Sequence, residues 1–397
     1  MTITQVEQQP GRLRAFLASP LSTYYLLMVS TVLLLILGLI MVLSASSIES
    51  FRVYGSPYVL AQRQALFAGI GLIAMFAMAR MPVQFWRGIA WPALIGAFVL
   101  LLLVLFIGVE VAGQRNWIQL VGPFRLQPSE FAKFGLILWG ADVLARKERS
   151  LDTWPHLLVP VLPVAAAMMA LVFAEGDVGN AMMLGAIAAG IFFAAGAPLR
   201  LFAGLAVVGG LLLWAVSIAA PYRMARFTAW LDPSADRLGS GWQLTQGKYA
   251  FGTGGLLGVG IGGSREKWGS LPEAHTDFIF PVIGEELGLL GTVLVLVLFG
   301  ILAFAIFRLA RTTEEPFVRL AAAGVGCWIV VQAVVNIGAV LGLLPITGVP
   351  LPLVSYGGSS LVPTLAAVGM LMACARAEPR ARTVLRRRTT ATKLSSS

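Results

Sequence analysis

The chain has 397 residues, of which 58% are hydrophobic and only 12% charged, with a mean hydropathy of +0.83. That leaves too few polar groups to cover a soluble globule, so a water-soluble fold is excluded and a lipid-embedded one is predicted. The formal charge is +10, but the stretch from Arg376 to Ser397 contributes +6 of it through seven basic residues and one acidic, and a basic tail after the last apolar run reads as a topology signal and a contact for anionic lipid, not as a nucleic-acid arm.

The first twenty residues are polar, and the apolar run after them is too long for a signal-peptide core, so it is expected to stay as a membrane anchor. Uncharged runs long enough to cross a bilayer follow at residues 24–47, 89–108, 157–174, 178–199, 201–221 and 287–307. Two further spans are predicted at 65–79 and 131–144, the second with Lys133 and Asp142 inside an otherwise apolar helix pattern. Residues 320–375 contain no Asp, Glu, Lys or Arg. A single helix of that length, rising about 1.5 Å per residue, would far overshoot a bilayer, so the run must fold back where Pro345, Pro350, Pro352, Gly357 and Gly358 break it.

The fold class predicted is therefore an all-α polytopic membrane protein of about ten transmembrane helices. Arginine and lysine fall on every second loop: Arg12 and Arg14, Arg80 and Arg87, Arg146 with Lys147 and Arg149, Arg200, Arg308 with Arg311 and Arg319, then the tail. The positive-inside rule then puts both termini in the cytoplasm and the loops 49–57, 110–127, 175–177, 222–280 and 344–360 outside. The expected division is a cytoplasmic segment 1–21, one membrane domain 22–375 with a large extracytoplasmic loop 222–280 between helices 7 and 8, and a basic cytoplasmic tail 376–397. Cys327 and Cys374 both lie in apolar stretches and read as small buried thiols, with no disulfide or zinc chemistry.

The candidate chemistry lies at the ends of these spans. Asp277 stands immediately before an apolar run, where partial desolvation raises a carboxylate's pKa and makes it a better base; its other reading is an acid that only favours a helix dipole. Glu130 and Lys133, three apart after Pro128, share one helix face and are either a structural ion pair or substrate-facing charges. Arg63, Arg265 and Lys267 add cations on the same side, suited to clamping a diphosphate or, singly, to snorkelling toward headgroups. Glu285 and Glu286 read as acids complementing the dipole at the start of the eighth span. A formal G-x-G-x-x-G at Gly258, Gly260 and Gly263 has no βαβ unit around it, and its glycines read instead as letting a re-entrant loop pack against helices.

Several long motifs carry a resemblance: Leu-Pro-Glu-Ala-His-Thr-Asp-Phe-Ile-Phe at 271–280, Ile-Gly-Glu-Glu-Leu-Gly at 283–288, Leu-Gln-Pro-Ser-Glu-Phe-Ala-Lys at 126–133 and Pro-Leu-Pro-Leu-Val-Ser-Tyr-Gly-Gly-Ser-Ser at 350–360. In this order, over nearly the whole chain, they resemble the SEDS proteins of bacterial cell-wall synthesis. Pro281 and Leu353 depart from the pattern, which has Ala and Phe there. The resemblance implies a peptidoglycan glycosyltransferase that polymerises lipid II, with Asp277 at the family's essential aspartate as general base on the acceptor hydroxyl. It implies substrate-binding roles for Arg63, Arg115, Glu130, Lys133 and Lys267, which match polar positions of the motifs. The opening Gly-Leu-Ile-Met-Val-Leu-Ser-Ala-Ser-Ser from Gly38, and Ala274, resemble the cell-division branch more than the elongation branch. Implied partners are undecaprenyl-diphosphate-linked glycan, a class B penicillin-binding protein and other division membrane proteins, at the septal plasma membrane. The diphosphate chemistry is compatible with a divalent cation, and no other cofactor is implied. A lipid II flippase, motivated by the charges in the fourth span, an elongation polymerase, and a non-catalytic scaffold that recruits the transpeptidase are the competing readings.

Overall fold

A computed structural model describes residues 19–379, 381 and 383, apart from 112, 121, 123, 151–153, 220, 234–235 and 237–238. The expected 1–21 segment and the basic tail therefore lie almost wholly outside the described residues.

Helix α1 (Ser22–Tyr54) outruns the apolar stretch 24–47 by about two turns. It is followed by α2 (Val59–Met78), a short α3 (Val83–Gly88) and α4 (Ala90–Ile107). A small antiparallel sheet, β1 (Val109–Val111), β2 (Gln114–Gln119) and β3 (Arg125–Leu126), then caps one end of the bundle. Helix α5 (Pro128–Arg146) starts on Pro128, whose missing N–H costs nothing in a first turn. After α6 (Trp154–Leu158) come α7 (Val161–Ala174), α8 (Val178–Ala194) and α9 (Leu199–Ala219). The segment read as one long loop contains two helices, α10 (Pro221–Leu231) and α11 (Ser240–Gly254), preceding the stretch that carries Asp277. Helices α12 (Ile279–Thr312), α13 (Pro316–Val340) and α14 (Gly358–Ala377) complete the chain, the last two joined by the Pro-rich turn that the charge-free run required.

Helices α1, α2, α4, α12, α13 and α14 are long and apolar enough to cross a membrane, and α7, α8 and α9 are shorter apolar helices. With the charged α5 they give about ten candidate spans among the described residues, and the chain is a multi-pass membrane protein. α14 packs along α2, α12 along α1, α4 along α5, and α13 against α8, α5 and α12, so α13 and α14 form the buried centre.

One span is broken. At Gly288 (φ 67, ψ −162) α12 leaves helical geometry, which frees backbone groups that lipid cannot satisfy. The glycine-rich segment after α11 supplies partners: Val259 N and Gly260 N donate to Glu285 O and Glu286 O at 3.0 Å each, and Leu289 N donates to Gly255 O at 2.9 Å. The approach is so close that a Cβ on Gly258 would sit 2.2 Å from Glu286 O, and Gly258 itself has φ +79. This contact is why the segment is glycine-rich. Gly258→Val should thus lower stability by about 2 kcal/mol or more through clash and backbone strain, read as earlier thermal unfolding in detergent. Wild-type unfolding of that variant would show that the loop and α12 do not meet.

Candidate active site

Asp277 lies in the short stretch between the 3-10 turn Glu266–Trp268 and α12, and three hydrogen bonds fix the main chain around it. His275 O accepts from Tyr356 N at 2.9 Å, Thr276 O from Ser355 Oγ at 2.6 Å, and Asp277 O from Asn336 Nδ2 at 2.8 Å. The carboxylate faces the turn between α13 and α14: its Oδ2 is 3.6 Å from the point where a Cβ on Gly348 would stand, and Arg226 Nη1 of α10 is 3.7 Å from the same point. Burial pushes the Asp277 carboxyl up to about 7, with Glu273 and Asp177 adding to the rise and Arg226 opposing it. Asp277 directly precedes Phe278, the N-cap of α12, so it stands close enough to the helix N-terminus to feel its dipole as well as the facing Arg226.

Asp177 caps the N-terminus of α8, a role Asp performs well because its short side chain reaches the free N–H groups. Its Oδ1 accepts from Asn180 N at 3.0 Å, and its Oδ2 accepts from Asn116 Nδ2 and Asn180 Nδ2 at 2.9 Å and from Gln127 Nε2 at 3.0 Å. Two residues earlier Glu175 is buried, and its pKa rises to about 8, chiefly by burial and then by the Asp177 charge. Asp177 also acts electrostatically on Asp277 and Glu130, so acids from α5, α8 and the Asp277 stretch share one end of the bundle.

The sequence-predicted cations part company here. Glu130 and Lys133 form a fully buried ion pair at 2.8 Å, with Lys133 Nζ also donating to Gln332 Oε1 at 3.3 Å and lying 5.2 Å over the Trp328 ring. Arg63 stacks 4.6 Å from the Tyr54 ring and donates to its hydroxyl at 3.1 Å, beside Tyr356. Arg115 is spent on the C-terminus of α4, donating to Gly108 O at 2.9 Å and Leu105 O at 3.4 Å, where a cation satisfies orphan carbonyls. Lys267 is buried against Glu286 at 3.1 Å and also donates to Ser44 Oγ at 3.1 Å and Gly262 O at 2.7 Å. Glu285 and Glu286 are not in the first turn of their span as the sequence suggested. The helix begins at Ile279, and these two acids, fully buried, hold the preceding segment through Ser264, Arg265 N and Lys267. Among the described residues no cluster of three or more His, Cys, Asp or Glu is arranged to hold a metal ion.

Sequence reasoning missed Asp177, Arg226, Gln332 and Asn336. Asp177 carried the same signal as Asp277, an acid directly before an apolar run. Gln332 and Asn336, four apart, are the only amide side chains in the charge-free run 320–375, where a polar group is costly enough to need a reason. Arg226 carried no local signal, since only the placement of α10 brings it to Asp277.

At the opposite end, buried Asp142 accepts from Arg87 Nε at 3.0 Å and Arg146 Nε at 2.7 Å, Arg87 also reaches Glu315 at 3.2 Å, and Arg319 pairs with Glu148 at 3.0 Å. A cavity of about 900 Å³ opens there, lined by Arg87, Arg308, Glu314, Glu315 and Glu378, far from Asp277.

A bundle of membrane-spanning helices with a fixed carboxylate and a facing guanidinium at one end defines the class as a multi-pass membrane protein. The sequence profile of the cell cycle proteins FtsW, RodA and SpoVE matches residues 24–379. This chain belongs to that family. It is 42% identical over 379 residues to the probable peptidoglycan glycosyltransferase FtsW of Mycobacterium tuberculosis, covering 94% of this chain and 72% of that one. The stage V sporulation protein E of Bacillus subtilis is 41% identical over 355 residues, covering 88% and 96%. The rod shape determining protein RodA of Thermus thermophilus superposes with a TM-score of 0.66 at 30% identity, covering 88% and 95%. A chain of a peptidoglycan synthase complex that coordinates polymerisation and crosslinking does so with a TM-score of 0.71 at 31% identity, covering 88% and 96%.

Replacing Lys267 by Met should leave Glu286 charged and unpaired in the bundle, at a cost of about 3–5 kcal/mol in unfolding stability. Adding Glu286→Gln should recover much of that loss. Equal stability of the single variant and wild type would place Lys267 outside the pair.

Proposed function

We propose that this protein is a peptidoglycan glycosyltransferase of cell division that polymerises lipid II into glycan strands. The observation that carries the reading is the Asp277 carboxylate, held near neutral pKa opposite Arg226, in a chain 42% identical over most of its length to proteins named for that activity. A base works best when its pKa lies near the working pH, where it is largely ionised yet still binds a proton usefully. Asp277 takes the proton of the acceptor's 4-hydroxyl as that oxygen bonds to the donor's anomeric carbon. The bond from that carbon to the diphosphate breaks, and the diphosphate departs with the electron pair. Arg226 is the cation best placed to offset that charge, because Arg115 and Lys267 are committed to carbonyls and to Glu286.

The end of the bundle rich in Arg87, Arg146, Arg308, Arg311, Arg319 and Arg376 is assigned to the cytoplasm, with both termini, which puts Asp277 at the outer face of the plasma membrane. A class B penicillin-binding protein is the proposed partner and the division septum the proposed location, supported by the likeness to the synthase complex and to FtsW proteins. The flippase reading was motivated by charges inside α5, and each of these has a partner: Lys133 with Glu130, and Asp142 with two arginines.

The purified protein with its cognate transpeptidase should convert lipid II to glycan, and Asp277→Ala should lower the rate by about 10²-fold or more. A normally active Asp277→Ala variant would remove Asp277 as base, and an inactive wild-type complex would remove the function itself. The sign of the pH dependence follows from the raised pKa: Asp277 is protonated and idle below about 7, so the initial rate should fall about tenfold per unit on acidification below that point and level off above it. A flat profile from acid to neutral pH would contradict this.

A further inference from the structure

Helix α13 runs through the centre of the bundle, and its two amides, Gln332 and Asn336, are buried at 1% and 3% exposure, four residues apart on one face. Asn336 Nδ2 donates to Asp277 O and to Val349 O, both at 2.8 Å. With carbonyls on that side, the amide orientation is fixed, since a flipped side chain would set oxygen against oxygen. Gln332 Nε2 donates to Pro350 O at 2.9 Å, while its Oε1 accepts from Trp328 Nε1 at 2.9 Å and Lys133 Nζ at 3.3 Å.

The three carbonyls thus held belong to the Asp277 stretch and to two consecutive residues of the turn whose Gly348 adjoins the Asp277 carboxylate and Arg226. Pro350 and Pro352 donate no backbone hydrogen bonds, so although Val354 N and Ser355 N donate to Leu351 O within the turn, the carbonyls of Val349 and Pro350 are held by side-chain donors. We propose that Asn336 is a positioning residue for Asp277, tying the base's main chain to the facing turn, while Gln332 anchors the same turn to the Lys133–Glu130 pair. The role deepens the polymerase reading and rests on it.

The test uses the full chain with its transpeptidase, after wild type has been shown to polymerise lipid II. Failure at that first step counts against the polymerase, not against Asn336. Asn336→Leu fills a similar volume without donors, and Asn336→Ser keeps one. For Asn336→Leu, kcat per folded molecule should fall about tenfold or more, because small misplacements of a reacting group are expensive, while KM for lipid II stays within about twofold. The acid limb of its pH profile should move to lower pH as Asp277, faced by Glu273, Arg226 and Asp177, gains water. Asn336→Ser should fall between Leu and wild type, and it decides the matter if the Leu variant does not fold. Wild-type kcat with an unmoved acid limb overturns the proposal. So does a rise in KM alone, or a loss of folded protein with unchanged kcat in what remains.

Discussion

Lipid offers no hydrogen bonds, and the rest of this structure follows from that constraint. Each polar group inside the bundle needs a protein partner, because leaving one bare in hydrocarbon costs several kcal/mol. The break in α12 at Gly288 is tolerable only because the glycine-rich segment delivers its own backbone to the freed groups. Lys267 and Ser44 serve the same end by side chain, both donating to Glu286 Oε1 where α1, α12 and the segment meet. Glycine is needed there because any Cβ on Gly258 would occupy the space of the Glu286 carbonyl.

The same constraint shapes the candidate site. A buried carboxylate is useful as a base because burial raises its pKa, but burial also threatens to neutralise it altogether. Arg226 limits the rise, while Asp177 and Glu273 sustain it, leaving Asp277 near neutrality. Asp177 is fixed in place because four donors from β2, α8 and the chain before α5 converge on its two oxygens. The site is thus assembled from several elements, none of which is chemically distinctive alone.

The two ends of the bundle use charge differently. At the Asp277 end, acids cluster around a few cations, and burial raises the pKa of Asp277 and Glu175. At the other end Asp142 sits between Arg87 and Arg146, and further pairs link α3, α5 and α13. Those pairs anchor helix ends, and their partial exposure limits what each contributes to stability.

The sequence by itself determined the class of fold, the number of spans, the fold-back at Pro345 to Gly358 and Asp277 as the base to test. Hydropathy is a local property, and so is an acid set before an apolar run. It also flagged Glu130 and Lys133, whose spacing alone puts them on one face. Only the tertiary structure decided which cations meet Asp277. Arg115 and Lys267 stood out in the sequence where Arg226 did not, yet the first serves the end of α4 and the second Glu286. Whether a charge is committed depends on groups that lie far away in the chain, as Ser44 and Glu286 do for Lys267. Partners across such separations are set by helix packing, which no local pattern encodes.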